Sequence, residues 1–264
     1  MSKTASGAPL ADSLRFAFGT LTVLPVKVTR WDRDAARGGM LCAPLAGLVV
    51  GAGAALVGVA LLAMGSGPLL AAVATAAVPA ALTRGLHLDG LADTADGLGS
   101  GKPAEEALRI MKQSDIGPFG VITLLFVLLA QVAALAQAYD SSWARGVLAA
   151  VVSATVARLA LTLAARTGVP AARPEGLGAA VAGTVPSRGA LLVAVAVTGA
   201  AAGGGALVGT YDIVRAAVAA GAACLAAELL LRHCVRRFGG VTGDVFGGLA
   251  ETAATTSLVV LSLG

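Results

Sequence analysis

Long apolar runs broken by short polar punctuation set the pattern of this chain. Seven of them meet or approach the roughly 20 apolar residues that a helix needs to cross a hydrocarbon core about 30 Å thick: 39–64, 68–83, 118–139, 144–165, 189–208, 216–231 and 246–264. The stretch "MGSGP", residues 64–68, separates the first two by Gly and Pro. None of the runs alternates with period two, so a β-barrel is excluded and the backbone must satisfy itself in helices. The pattern predicts an all-α fold, a polytopic bundle of about seven transmembrane helices forming one integral membrane domain over 1–264.

Composition sharpens this reading. Hydrophobic residues make up 57% of the chain and charged ones 13%, far from the averages of soluble domains. The 35 glycines suit close helix approach, as in "GLVVGAGAALVG", residues 47–58. Residues 1–38 lack the apolar core of a cleavable signal peptide, because Asp12 and Arg15 interrupt it. They are expected to form a cytoplasmic arm at the membrane surface.

Charge then predicts orientation. With a cytoplasmic N-terminus, sixteen of the nineteen basic residues fall in inner segments, Arg145 and Arg215 fall outside, and Arg158 lies within a span. This is the positive-inside pattern of a protein in the cytoplasmic membrane. The basic balance reflects membrane orientation and anionic lipid, and with no interleaving of basic and aromatic residues, nucleic acid is not expected as a partner.

The carboxylates are concentrated where the apolar pattern stops. "RGLHLDGLADTADGLGSGK", residues 84–102, holds Asp89, Asp93 and Asp96 at offsets of four and seven. On a helix these share one face, within about 60° of arc. Like charges so placed repel, and a divalent cation relieves the repulsion. Hard oxygen ligands suit Mg²⁺ or Mn²⁺. Asp244, in "GGVTGDVFGGLAE", is a fourth candidate ligand from another helix, and Glu251 follows it at seven residues. The region 84–117 is expected to be the cytoplasmic catalytic segment, with a short helix from Pro103 to about Gln113. Arg158 and Glu228 stand alone in apolar spans and either pair with each other or face a polar cavity. "GSGKP", residues 99–103, lacks the full phosphate-loop spacing. Cys42, Cys224 and Cys234 show no metal or disulfide spacing and read as reduced thiols.

"TRGLHLDGLADTADGLGSG", "RIMKQSDIGPFGV" and "GGVTGDVFGGLAE", with "FGTLTVLPV" and "APLAGLVVG" nearer the N-terminus, resemble the motif set of the cobalamin synthase family, the adenosylcobinamide-GDP ribazoletransferases. The chain departs from that family at Asp115, where a basic residue is usual. The resemblance implies Mg²⁺-dependent transfer of cobinamide phosphate from adenosylcobinamide-GDP to the 3′-hydroxyl of α-ribazole or its 5′-phosphate, with release of GMP. Metal ligands are then expected at Asp89, Asp93, Asp96 and Asp244. Substrate contacts are expected at Arg84, Arg109, Lys112, Ser114 and Arg158, and His87 and Asp96 share the role of general base. Gly117 and Gly120 shape a substrate loop or end a helix. Membrane lipid is an expected partner, as is a second copy of the chain. Two other classes fit parts of the pattern: a CDP-alcohol or polyprenyl transferase, which would also use Asp-bound Mg²⁺, and a transporter with buried charges along its pathway.

Overall fold

A computed structural model describes residues 8–263; Lys3 and Gly264 lie outside the described residues. Eleven helices and no strands are found among them: α1 Leu10–Leu21, α2 Arg33–Ala63, α3 Pro68–Leu82, α4 Leu86–Gly99, α5 Ala104–Ile110, α6 Pro118–Ser141, α7 Trp143–Ala164, α8 Leu177–Val181, α9 Ser187–Ala206, α10 Thr210–Phe238 and α11 Gly243–Ser262. Six of these, α2, α6, α7, α9, α10 and α11, are long and apolar enough to cross a membrane. The expected second span corresponds to α3, which at 15 residues is about 22 Å long. It meets the same criterion only together with α4, from which it is bent by 87°.

Packing follows the small residues. α7 is the central helix, and α2 lies against it so closely that a Cβ at Gly47 would come 2.3 Å from the Ala154 carbonyl oxygen and one at Gly51 2.9 Å from that of Ala150. This is the close approach that "GLVVGAGAALVG" predicts. On the outside, Leu125, Phe126, Leu129, Leu191, Leu192 and Val195 are exposed, as expected where the surrounding solvent is hydrocarbon.

Within the N-terminal segment α2 already starts at Arg33, where the Asp32 side chain accepts from the backbone N–H groups of Asp34 and Ala35. Ahead of it, α1 packs on α2 and buries Phe16 completely against Gly39. Glu228 does not pair with Arg158. It accepts from Arg166 at 2.9 Å and Arg232 at 2.7 Å. Arg158 is buried in the bundle on α7, beside Glu251 of α11.

The spans place most of the polar segments at one end of the bundle. The segment 83–117, the loop 165–186 and the link 239–242 meet there, joined by parallel bridges between Arg166 and Val185 and between Ala171 and Val241. At the other end, Arg145 and Arg215 both approach the buried carboxylate of Asp212 at 3.4 Å, so the two arginines assigned to that side neutralise one acid.

Candidate active site

The site is built by turning a helix sideways. Arg84 and Gly85 both have left-handed backbone, φ 53° and 71°, and they produce the bend between α3 and α4. Gly85 adopts this conformation freely. Arg84 is the one non-glycine residue among those described with positive φ, a strain of about 1–2 kcal/mol. α4 therefore leaves the direction of α3 and packs on the first turns of α6 and α11.

Glycine lets it settle there. A Cβ at Gly90 would come 2.7 Å from the carbonyl oxygen of Asp244, and one at Gly247 would come 3.0 Å from the Gly90 Cα and the His87 carbonyl oxygen. The two acidic motifs, remote in sequence, thus pack backbone to backbone. Arg173, from the loop before α8, adds an ion pair to Asp244 at 3.8 Å and donates to the Leu108 carbonyl oxygen. Thr242 donates to Asp244 at 3.2 Å.

The three aspartates of α4 do not have equal surroundings. Asp89 is exposed and Asp93 half-buried, and both line a cleft of about 880 Å³ with Arg84, Gln113, Ser114 and Asp115. Asp96 is buried. Its two carboxylate oxygens accept from the backbone N–H groups of Gly117 at 2.8 Å and Gly120 at 2.9 Å, which closes the N-terminus of α6. A Cβ at Gly117 would come 2.4 Å from an Asp96 oxygen, and one at Gly120 2.5 Å. These glycines therefore start a helix around a carboxylate; they do not end one.

A second cavity of about 300 Å³ lies between α4, α8 and α11, lined in part by His87, Asp89, Arg173 and Asp244. Asp89 and Leu86 line both spaces. The carboxylates act on one another across this junction. Burial, then Asp89, Asp244 and Asp96, push the Asp93 carboxyl up to about 7, against the opposing charge of Arg173. Burial, and after it Arg158, holds the His87 imidazole well below its ordinary value, so the ring is neutral. Among the described residues, His87 Nε2 finds no hydrogen-bond partner.

The structure brings Asp89, Asp93, Asp244, His87, Arg84 and Ser114 to the two cavities. Lys112 lines neither, but its charge is felt at Asp244. Arg109, exposed at the end of α5, lines neither. Arg158 faces a separate small cavity inside the bundle, with Gln131 and Glu251, and among the described residues its Nε and Nη2 atoms find no hydrogen-bond partner. Arg173 escaped the sequence reading except as one positive charge among sixteen. Its only signal was a basic residue beside the proline of "AARPEGLG", in a loop that shares its end of the bundle with the aspartates.

Among the described residues, no three His, Cys, Asp or Glu side chains converge as a complete metal site. The oxygen donors of Asp89, Asp93 and Asp244 do fit Mg²⁺ as a partial set, because this ion takes one or two carboxylates and completes its sphere with waters and phosphate oxygens.

Residues 13–262 match the family described as Cobalamin-5-phosphate synthase. The chain is 44% identical to an adenosylcobinamide-GDP ribazoletransferase of Frankia casuarinae, over 94% of both chains. It is 41% identical to one of Nocardioides sp., over 95% of this chain and 98% of the relative. A Bradyrhizobium diazoefficiens protein of the same name is 38% identical, over 94% and 92%. No solved structure matches. A family match across nearly the whole chain, with the quoted acidic motifs packed together at one end of a helical membrane bundle, makes this protein a member of the cobalamin-5-phosphate synthase family.

Proposed function

We propose that the chain transfers the cobinamide phosphate of adenosylcobinamide-GDP to the ribose 3′-hydroxyl of α-ribazole or α-ribazole 5′-phosphate. The observation that carries this reading is the placement of carboxylates on two adjoining cavities, Asp93 on the larger, Asp244 on the smaller and Asp89 on both, in a chain whose relatives bear the name of that reaction. The hydroxyl oxygen bonds to the phosphorus that carries cobinamide, and the P–O bond to GMP breaks. GMP leaves with the bridging oxygen and its electron pair, and the hydroxyl proton passes to a base of the site.

Such a transfer depends on positioning and on neutralising charge over the transferred oxygens. Asp89, Asp93 and Asp244 would hold Mg²⁺, which when bound supplies that neutralising charge. Arg84 and Ser114, on the wall of the larger cleft, orient the diphosphate, with Lys112 adding positive charge close by. Arg173, paired with Asp244, holds that carboxylate in place. His87 is the group able to accept the hydroxyl proton; Asp96, with both oxygens engaged by α6, serves as a positioning residue.

The end of the bundle that carries the site faces the cytoplasm in this reading, supported by the excess of basic residues on that side. Purified protein supplied with adenosylcobinamide-GDP, α-ribazole and Mg²⁺ should release GMP and form a cobalamin. CMP from a CDP-alcohol, or pyrophosphate from a polyprenyl diphosphate, would overturn the assignment.

A further inference from the structure

The junction has two sides of different character. The larger cleft is open, about 880 Å³, with Arg84, Gln113, Ser114 and Asp115 on its walls. The smaller cavity, about 300 Å³, is lined by the apolar Leu21, Met40, Leu161, Val181 and Phe246 together with the polar His87, Asp89, Arg173 and Asp244. Ligand cavities run from about 300 to 1,000 Å³, so the smaller one has room for a nucleoside but none for a corrinoid nucleotide.

The two substrates differ in the same way. The donor carries a charged diphosphate and a macrocycle that no 300 Å³ space admits. The acceptor carries a flat, apolar benzimidazole on a polar ribose, which suits a small cavity whose lining mixes large apolar side chains with a few polar ones. Asp89 lines both spaces, so a hydroxyl on one side and a phosphorus on the other can meet beside the same carboxylate. His87 lines the smaller cavity and has a ring nitrogen without a partner among the described residues.

We infer that the cavity between α4, α8 and α11 is the acceptor subsite, that the open cleft receives the donor diphosphate, and that transfer occurs across Asp89. This rests on the proposed reaction and adds the places of its two substrates.

Leu177, on the wall of the smaller cavity and partly buried, tests it. Leu177→Trp should raise KM for α-ribazole at least tenfold while KM for the donor stays within twofold. Ser114→Trp, in the cleft, should do the reverse. Because a bulky residue can disturb folding, a smaller one provides an independent reading. In protein with Cys42, Cys224 and Cys234 replaced, α-ribazole should protect Leu177→Cys from a maleimide, and adenosylcobinamide-GDP should protect Ser114→Cys. Protection in the opposite pairing, or a Leu177→Trp effect confined to donor KM, overturns the subsite assignment while wild-type turnover persists. Wild-type protein that releases no GMP from the two substrates overturns the reaction itself.

Discussion

The α-carbon of Gly90 lies against the backbone of Asp244, so close that a methyl group at position 90 would come 2.7 Å from the Asp244 carbonyl oxygen. This contact unites the two acidic motifs. Gly90→Ala must push α4 away from α11, and overpacking of this kind costs about 1–3 kcal/mol. A lower melting temperature in detergent should accompany a loss of at least tenfold in GMP release. Unchanged activity would show that the two motifs work independently.

Asp93→Asn keeps the shape of the side chain and removes its charge. If Asp93 helps to hold the cation, GMP release should fall by two orders of magnitude or more, since one well-placed electrostatic group is worth about 3–4 kcal/mol. Asp140→Asn, exposed at the far end of α6, is the control and should behave as wild type. Near-normal turnover in Asp93→Asn would remove this residue from the metal set.

The same variant has a pH signature in EDTA-treated protein. The folded carboxyl of Asp93 titrates at about 7 against an ordinary 3.8, so between those values the folded state keeps a proton that the unfolded state has released. Stability from this group is complete below the lower value and is lost as pH rises to the upper one. Asp93→Asn should therefore gain melting temperature over wild type across that window, with no further gain above it. A difference that does not vary with pH would contradict the burial of this carboxyl and its crowding by Asp89, Asp244 and Asp96.

Asp96→Asn should behave differently from Asp93→Asn despite identical chemistry. The amide has one acceptor oxygen for two backbone N–H groups, those of Gly117 and Gly120. Losing one charge-assisted hydrogen bond in a buried place costs about 2–3 kcal/mol. A clear fall in melting temperature is expected, with Mg²⁺ affinity, read by calorimetry, reduced less than in Asp93→Asn. The opposite ranking would return Asp96 to the metal.

Orientation is testable with single cysteines in the cysteine-free background. Lys102 and Asp140 are exposed at opposite ends of the bundle. An impermeant maleimide should reach Asp140→Cys in intact cells and Lys102→Cys only after permeabilisation. The reverse result would place the site outside.

The sequence by itself determined the helical membrane class, because apolar runs of spanning length leave the backbone no other way to satisfy its hydrogen bonds. It located the start of the span at Pro118, since proline is favoured in the first turn of a helix. It also marked Asp89, Asp93 and Asp244 as residues in need of a purpose, because charge in such a chain is conspicuous. Only the tertiary structure decided how those carboxylates divide. Helical spacing puts Asp96 on the same stripe as Asp89 and Asp93, but spacing cannot show that the N-terminus of α6 arrives there and engages both oxygens. Glu228 pairs with Arg232 one turn along its own helix, but its second partner, Arg166 in the loop after α7, was set by tertiary packing. Arg173 became visible only when its loop folded over Asp244. The junction at Asp89 likewise exists because α4 turns by 87° from α3 and packs on α6 and α11, and such a turn is fixed by packing between distant segments, which a linear pattern does not contain.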